Sequence, residues 1–336
     1  MLTSLKTVKS PSYNYIFDPR NGDFARWGKT LDDDPLYSPL GPEIMDIEVS
    51  TICHRACSHC YKSNMSEGRN MSFETFQRLF AKFPKNLTQI AFGIGDIDAN
   101  PDLWKMMIHS RQHGVIPNLT INGYRMQPMH FKALGAICGA VAVSLYDKET
   151  CYNVVSLLST YVAQCNIHVM LSEETYHLCQ QVVVDYGTDE RLKNIHAIIF
   201  LRLKPKGERN TYHQVKADRA AELIDLAVSR KVPIGFDSCS APLAVAYAKG
   251  KPIEQEWNQV IEPCESTMFS YYINTDGMGF PCSFTEGVFT GINILEAGDF
   301  MNGVWFHPDT VVFRERALAC QDTNGCRVCS IFDLEA

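Results

Sequence analysis

Residues 44–62 read IMDIEVSTICHRACSHCYK. The β-branched content of residues 44–49 predicts a strand. That strand runs directly into a loop carrying Cys53, Cys57 and Cys60, spaced Cys-x3-Cys-x2-Cys. Three thiolates this close together exceed what packing uses, and they can converge on one metal centre. The spacing suits an iron–sulfur cluster. It also suits a structural zinc, with His54 or His59 completing the set. Three thiolates on a four-iron cluster leave one iron open, as a catalytic zinc keeps an open position.

Downstream, a rhythm sets in. Strands are predicted at 89–92, 115–121, 140–145, 167–171, 195–203 and 232–236. Helices are predicted between them at 72–82, 102–113, 128–137, 149–163, 173–184 and 217–230. Ser72 is placed to cap the first helix, with Glu74 in its opening turn. Alternation at this spacing implies βαβ units and a parallel sheet. The fold class is therefore α/β, a full or partial β/α barrel, with an open doubly wound sheet as the rival. In both, the loops at the C-terminal strand ends carry the chemistry. That places the cysteine loop at the mouth, where a catalytic centre belongs more readily than a structural zinc.

Residues 1–42 are rich in Pro, Asp and Gly and read as an irregular N-terminal extension. Past about residue 240 the rhythm stops. Residues 269–275 and 279–284 flank Asp276-Gly277, a hairpin signal, and 310–319 read as a helix. The expected domains are 1–42, a barrel over 43–240 and a small Cys-rich module over 241–336.

The chain has 336 residues, 46% of them apolar, with a formal charge of −7. That length buries a core without disulfides, and the acidic balance argues against a broad nucleic-acid surface. There is no apolar run long enough to span a membrane. Residues 1–10 lack the apolar middle of a secretory signal, so the expected compartment is the cytoplasm. There the thirteen cysteines point to metal or redox chemistry more than to disulfides. Cys138, Cys151, Cys165 and Cys179 sit among apolar neighbours and read as buried packing residues. Cys264 and Cys282 bracket the hairpin, and Cys326-x2-Cys329 lies in the tail. A hairpin and a tail that supply four thiolates make a metal-stapled module, of iron–sulfur or zinc-ribbon type. At the end of the sixth strand of the rhythm, Arg202, Lys204 and Arg209 can clamp a carboxylate or phosphate, or form a solvated basic loop. Asp237 can accept a substrate proton or simply serve a turn.

The segment CHRACSHCY after a first strand resembles the radical S-adenosylmethionine superfamily. That resemblance implies a partial (β/α)6 barrel and a [4Fe–4S] cluster on Cys53, Cys57 and Cys60. The open iron would chelate S-adenosylmethionine, whose reductive cleavage gives a 5′-deoxyadenosyl radical that abstracts hydrogen from a substrate. By the same resemblance His59 packs near the adenine, with Tyr61 following. Gly93, Gly95 and Asp96 take the place of the family's Gly-Gly-Glu-Pro segment, although Asp96 stands for Glu and Ile97 for Pro. Asn122 lies in the family's Thr-x-Asn-Gly turn. Ser144 faces the ribose or carboxylate, and Met170, on the strand that follows Ser144's, lies beside the adenine. The order of Cys264, hairpin, Cys282, helix, Cys326 and Cys329 resembles the Twitch or shortened SPASM appendage. It implies one auxiliary [4Fe–4S] cluster on those four cysteines. The implied enzyme is an oxidoreductase or modifying enzyme supplied by a flavodoxin- or ferredoxin-type electron donor. Its substrate would be a peptide or protein side chain, oxidised or cross-linked. The alternatives are a small molecule (sugar, alcohol or nucleotide) and, from another class, a non-enzymatic zinc-stapled binding protein.

Overall fold

The computed structural model describes residues 4–334. A three-stranded antiparallel sheet comes first: β1 (Lys6–Val8), β2 (Asn14–Phe17) and β3 (Phe24–Trp27). This corrects the expectation of an irregular extension. The strands are three or four residues long and broken by Pro, Asp and Gly, which hides them in the sequence. Tyr13, Tyr15 and Phe17 alternate inward and are fully buried with Ile116, Met268, Phe269 and Phe313. The Tyr15 hydroxyl donates to the Asn86 carbonyl at 2.7 Å, so long-range contacts hold this sheet in place.

The main sheet then unrolls in chain order. β4 (Ile44–Glu48) is followed by α1 (Phe73–Phe80), β5 (Gln89–Gly93), α2 (Leu103–Gln112), β6 (Ile116–Ile121) and α3 (Pro128–Ile137). Next come β7 (Ala140–Ser144), α4 (Lys148–Leu158), β8 (Gln164–Leu171), α5 (Tyr176–Asp185), β9 (Ala197–Arg202), α6 (Ala217–Ser229) and β10 (Ile234–Phe236). Each strand from β4 to β10 pairs in parallel with the next. The α/β class with a large, mostly parallel sheet is as expected. Ser72 caps α1 by accepting the Thr75 amide at 3.1 Å. Along β4, Met45 and Ile47 are sealed in the core against the helices, which turns Asp46 and Glu48 to the other face.

Two helices beyond residue 240 were not expected, α7 (Ala241–Ala248) and α8 (Glu254–Val260). The segment of α7, APLAVAYA, is apolar on nearly every side and carries no helical periodicity to read. The hairpin of β11 (Ser270–Ile273) and β12 (Met278–Phe280) forms as predicted. It does not stand apart, however, because β11 pairs in parallel with β4 and extends the main sheet on its far side. β13 (Ile292–Asn293) completes ten strands, and α9 (Pro308–Ala319) follows. No helix among the described residues is long and apolar enough to cross a membrane.

Candidate active site at the mouth of the parallel sheet

The chain leaves β4 at Glu48 and returns at Met71, and the excursion between them carries the three cysteines. Its base is stapled. Asn100 donates to the carbonyls of Val49 and Met71, at 2.7 and 2.9 Å. Its middle is buckled by Arg209, which donates to the carbonyls of Ala56 and Asn64, each at 3.2 Å. Gly207, at φ +111°, lets its own loop approach the Cys60 carbonyl; a Cβ there would sit 2.5 Å from that oxygen. Gly95 does the same at the other end, where a Cβ would lie 2.5 Å from Cys53 Cβ and 2.8 Å from its sulfur. All three cysteines are free thiols and line one cavity of about 1630 Å³. Burial pushes the Cys53 and Cys57 thiols above their ordinary pKa.

The other expected residues fall around the same cavity. His59, Tyr61, Gly93, Gly95, Asn122, Ser144 and Met170 all line it. Asp96 does not; its carboxylate is turned into the loop. There it accepts the His54 amide at 2.9 Å, sits 2.6 Å from the His54 ring nitrogen, and accepts Asn122 Nδ2 at 2.7 Å. Burial pushes this carboxyl up, the hydrogen bonds from His54 and Asn122 outweigh it, and the net pKa is below the ordinary value. Asp96 and Asn122 thus form one brace behind the cysteine loop.

His59 lies against Tyr212 at 4.8 Å and Tyr146 at 6.0 Å between ring centroids. Its Nδ1 is buried without a hydrogen-bond partner among the described residues. Burial lowers the His59 pKa, with Arg55 adding to the effect, so the ring is neutral at neutral pH. Arg55 stacks on Tyr146 at 4.2 Å. Neither tyrosine was singled out from sequence. Tyr146 could have been, since it follows the Ser144 strand directly, but nothing marks Tyr212 in its loop.

Of the basic residues considered above, Arg202 and Lys204 line the cavity and Arg209 does not. Lys204 pairs with Asp237, Lys206 donates to the carbonyls of Phe284 and Glu286, and Arg209 buckles the cysteine loop. Asp237 also accepts the amides of Arg202 and Ser240, at 3.2 and 3.0 Å, and so serves the turn. A second charged group, unread in the sequence, joins the loop to the hairpin. Lys62 pairs with Glu48 at 3.2 Å and with Glu286, and the Tyr272 hydroxyl reaches both carboxylates. Tyr61, next to Cys60, stacks on Phe284 at 4.2 Å, two residues past Cys282.

The late cysteines converge in part. The Cys282 thiol is pushed up to about 11, by burial first and then by the neighbouring Cys264 and Cys329. Cys326 is likewise pushed up to about 11 by burial, with Asp322 adding to it and Cys264 contributing less. Arg327 ties the tail to this place by donating to the Cys264 carbonyl at 3.0 Å. Cys239 is also within electrostatic reach of Cys264 and Cys282. Cys138, Cys151, Cys165 and Cys179 are buried, as read. Among the described residues, no three His, Cys, Asp or Glu side chains are disposed to grip a single metal ion.

No protein-family model matches the chain, and no curated protein matches it. Solved structures do. SuiB of Streptococcus suis bound to S-adenosylmethionine superposes with a TM-score of 0.67 at 17% identity, over 86% of this chain and 73% of that one. SuiB bound to the precursor peptide SuiA gives 0.69 at 14% identity, over 96% and 93%. The protein anSMEcpe with bound S-adenosylmethionine and a peptide gives 0.59 at 15% identity, over 85% and 88%. The chain shares the fold of these proteins.

Proposed function

We propose that the chain is a radical S-adenosylmethionine enzyme that abstracts hydrogen from a peptide or protein side chain. The observation that carries this reading is the position of the Cys53–Cys57–Cys60 loop, which lines the large cavity at the C-terminal ends of seven successive parallel strands. In this reading β4 to β9 with α1 to α6 form the partial (β/α)6 barrel, extended by β10, within 43–240, and 241–336 supply a Twitch- or SPASM-like appendage.

The residues fit the group. Gly95 leaves Cys53 the space a side chain would fill, three free thiols share one loop, and the unpartnered His59 Nδ1 awaits a donor or acceptor beside them. Cys53, Cys57 and Cys60 would hold a [4Fe–4S] cluster, and S-adenosylmethionine bound with it supplies a 5′-deoxyadenosyl radical. The chain does the rest. His59, Tyr146 and Tyr212 offer flat, largely apolar faces to an adenine. Backbone at Gly93 and Gly95 is open to the amino group, whereas the Asp96 carboxylate is engaged by His54 and Asn122. Ser144 and Met170 lie on the next walls. The Asp96–Asn122 brace and the Arg209 buckle fix the loop, which is what positioning a hydrogen for abstraction demands.

Cys264, Cys282, Cys326 and Cys329 would hold one auxiliary [4Fe–4S] cluster, in keeping with the electrostatic reach of Cys264 to the other three and with Arg327's tie to Cys264. Held by these four cysteines, such a cluster would supply an electron acceptor, which would make the net change to the substrate an oxidation. A flavodoxin- or ferredoxin-type donor would supply the reducing electron in the cytoplasm. A peptide substrate is the reading taken here, with the cavity of about 1630 Å³ shared between cluster, S-adenosylmethionine and substrate. The bound peptides of SuiB and anSMEcpe point the same way.

The test is anaerobic. Protein reconstituted with iron and sulfide, reduced and given S-adenosylmethionine is expected to form 5′-deoxyadenosine, and Cys57→Ala to form none. Absence of product from wild-type protein that has bound zinc in place of iron contradicts the reading.

A further inference from the structure

Five carboxylates line the main cavity: Asp46, Glu48, Asp147, Glu174 and Asp237. Four have partners. Glu48 pairs with Lys62 at 3.2 Å, and Asp237 with Lys204. Asp147 accepts the Thr150 amide at 2.8 Å and pairs with Arg55 at 3.8 Å. Glu174 meets the His213 ring at 2.8 Å. Asp46 is different. No hydrogen bond or ion pair reaches its carboxylate among the described residues.

Its place on β4 explains why. Met45 and Ile47 face the core, so Asp46 faces the cavity, one inward position below Glu48. In register beside it stand Ala91 on β5 and Tyr272 on β11. Ala91 is too short to fill the space, and the Tyr272 hydroxyl is turned away to Glu48 and Glu286. Glu265 and Tyr61 both feel the charge of Asp46, and neither is a cation. Lys62, which also lines the cavity, is already shared between two glutamates. Burial alone raises the Asp46 carboxyl to about 6, which still leaves it mostly ionised at neutral pH. A carboxylate that faces the cavity and has no side-chain partner is placed to receive a ligand cation.

We propose that Asp46 is the specificity-determining residue of the substrate cavity and receives a protonated amine or guanidinium at the end of an aliphatic chain. The inference rests on the cavity being the substrate site of the reading above, and it narrows the substrate to one with a cationic side chain. A cation entering from the mouth passes Glu48 and Lys62, which neutralise one another, and meets Asp46 below them. His168, also lining the cavity, is held down to about 4 by burial. It is therefore neutral and does not repel a cation.

Pentylamine and its neutral counterpart pentanol test this in a direct binding titration on the full chain, anaerobically reconstituted. The wild type is expected to prefer the amine by about tenfold, the size of one charge-assisted hydrogen bond. Asp46→Asn is expected to abolish the preference, and Asp46→Glu to keep most of it. Iron bound per chain reports separately whether each variant is intact. Equal binding of amine and alcohol to the wild type overturns the proposal, whatever the variants do. So does a preference that survives in Asp46→Asn. Formation of 5′-deoxyadenosine by the wild type is measured alongside. Its absence, with the amine preference present, defeats the radical reading and leaves the cation site standing.

Discussion

Gly95 carries more consequence than its size suggests. An alanine there would put its Cβ 2.5 Å from Cys53 Cβ, a distance that forces the cysteine loop to move. Gly95→Ala is therefore expected to reduce iron retained per chain several-fold. Gly93→Ala, whose Cβ would meet Glu48 Cα at 3.4 Å, should retain most of it, and iron analysis of the two reads the difference. His168 gives a pH prediction. Its folded pKa of about 4 lies below the ordinary 6.5 because burial disfavours the charged ring. A proton therefore binds the unfolded chain more readily, so stability is full above pH 6.5 and falls as pH drops from there towards 4. The loss attributable to this ring is up to roughly 3 kcal/mol. His168→Phe should flatten that part of the pH–stability curve in chemical denaturation, and an unchanged slope would show that the ring is not the cause. Arg209 teaches a related lesson. A cation in a loop near a strand end reads as a ligand clamp, yet its partners are two backbone carbonyls that no sequence pattern discloses.

At the scale of elements, the N-terminal sheet is part of the folded unit. Tyr15 is fully buried and bonds to Asn86, so Tyr15→Ala is expected to cost about 3–5 kcal/mol, as large aromatic truncations in cores do. An extension lying loosely on the surface would cost almost nothing, and a urea titration separates the two. The parallel strands and their helices were legible because each bears its own local signal: β-branched runs for β6 and β7, the Ser72 cap for α1, the proline at the start of α3. β1 to β3 were not, since their stability comes from residues many positions away. The same reasoning covers the site. The cysteine triplet, Gly95 and Asn122 were visible as motifs at strand ends. The Lys62–Glu48–Glu286 group and Tyr212 exist only once β11 lies beside β4 and the loop after β9 folds back. Asp96 was half legible, being placed correctly after β5 but facing the loop instead of the cavity.

For the whole molecule, the sheet does two jobs. Its parallel strands β4 to β10 present one set of loop ends to the large cavity, and its far edge carries the hairpin that brings Cys282 behind Phe284 and Tyr61. The proposed cluster loop and the second cysteine group are thus joined by, among other contacts, the Tyr61–Phe284 stack and the Lys62–Glu286 bridge. Lys62→Met is expected to loosen this joint and to speed release of iron to a chelator, leaving the Cys282 side of the molecule folded by circular dichroism. The central claim is that Cys53, Cys57 and Cys60 hold a four-iron cluster with one iron open to S-adenosylmethionine. The measurement that meets it most directly is electron paramagnetic resonance of the reduced protein, with Cys264, Cys282, Cys326 and Cys329 all replaced by alanine, before and after S-adenosylmethionine is added. The account predicts a cluster signal that changes shape on addition and is missing when Cys57 is also replaced. A signal indifferent to S-adenosylmethionine, or one that survives the loss of Cys57, would contradict it.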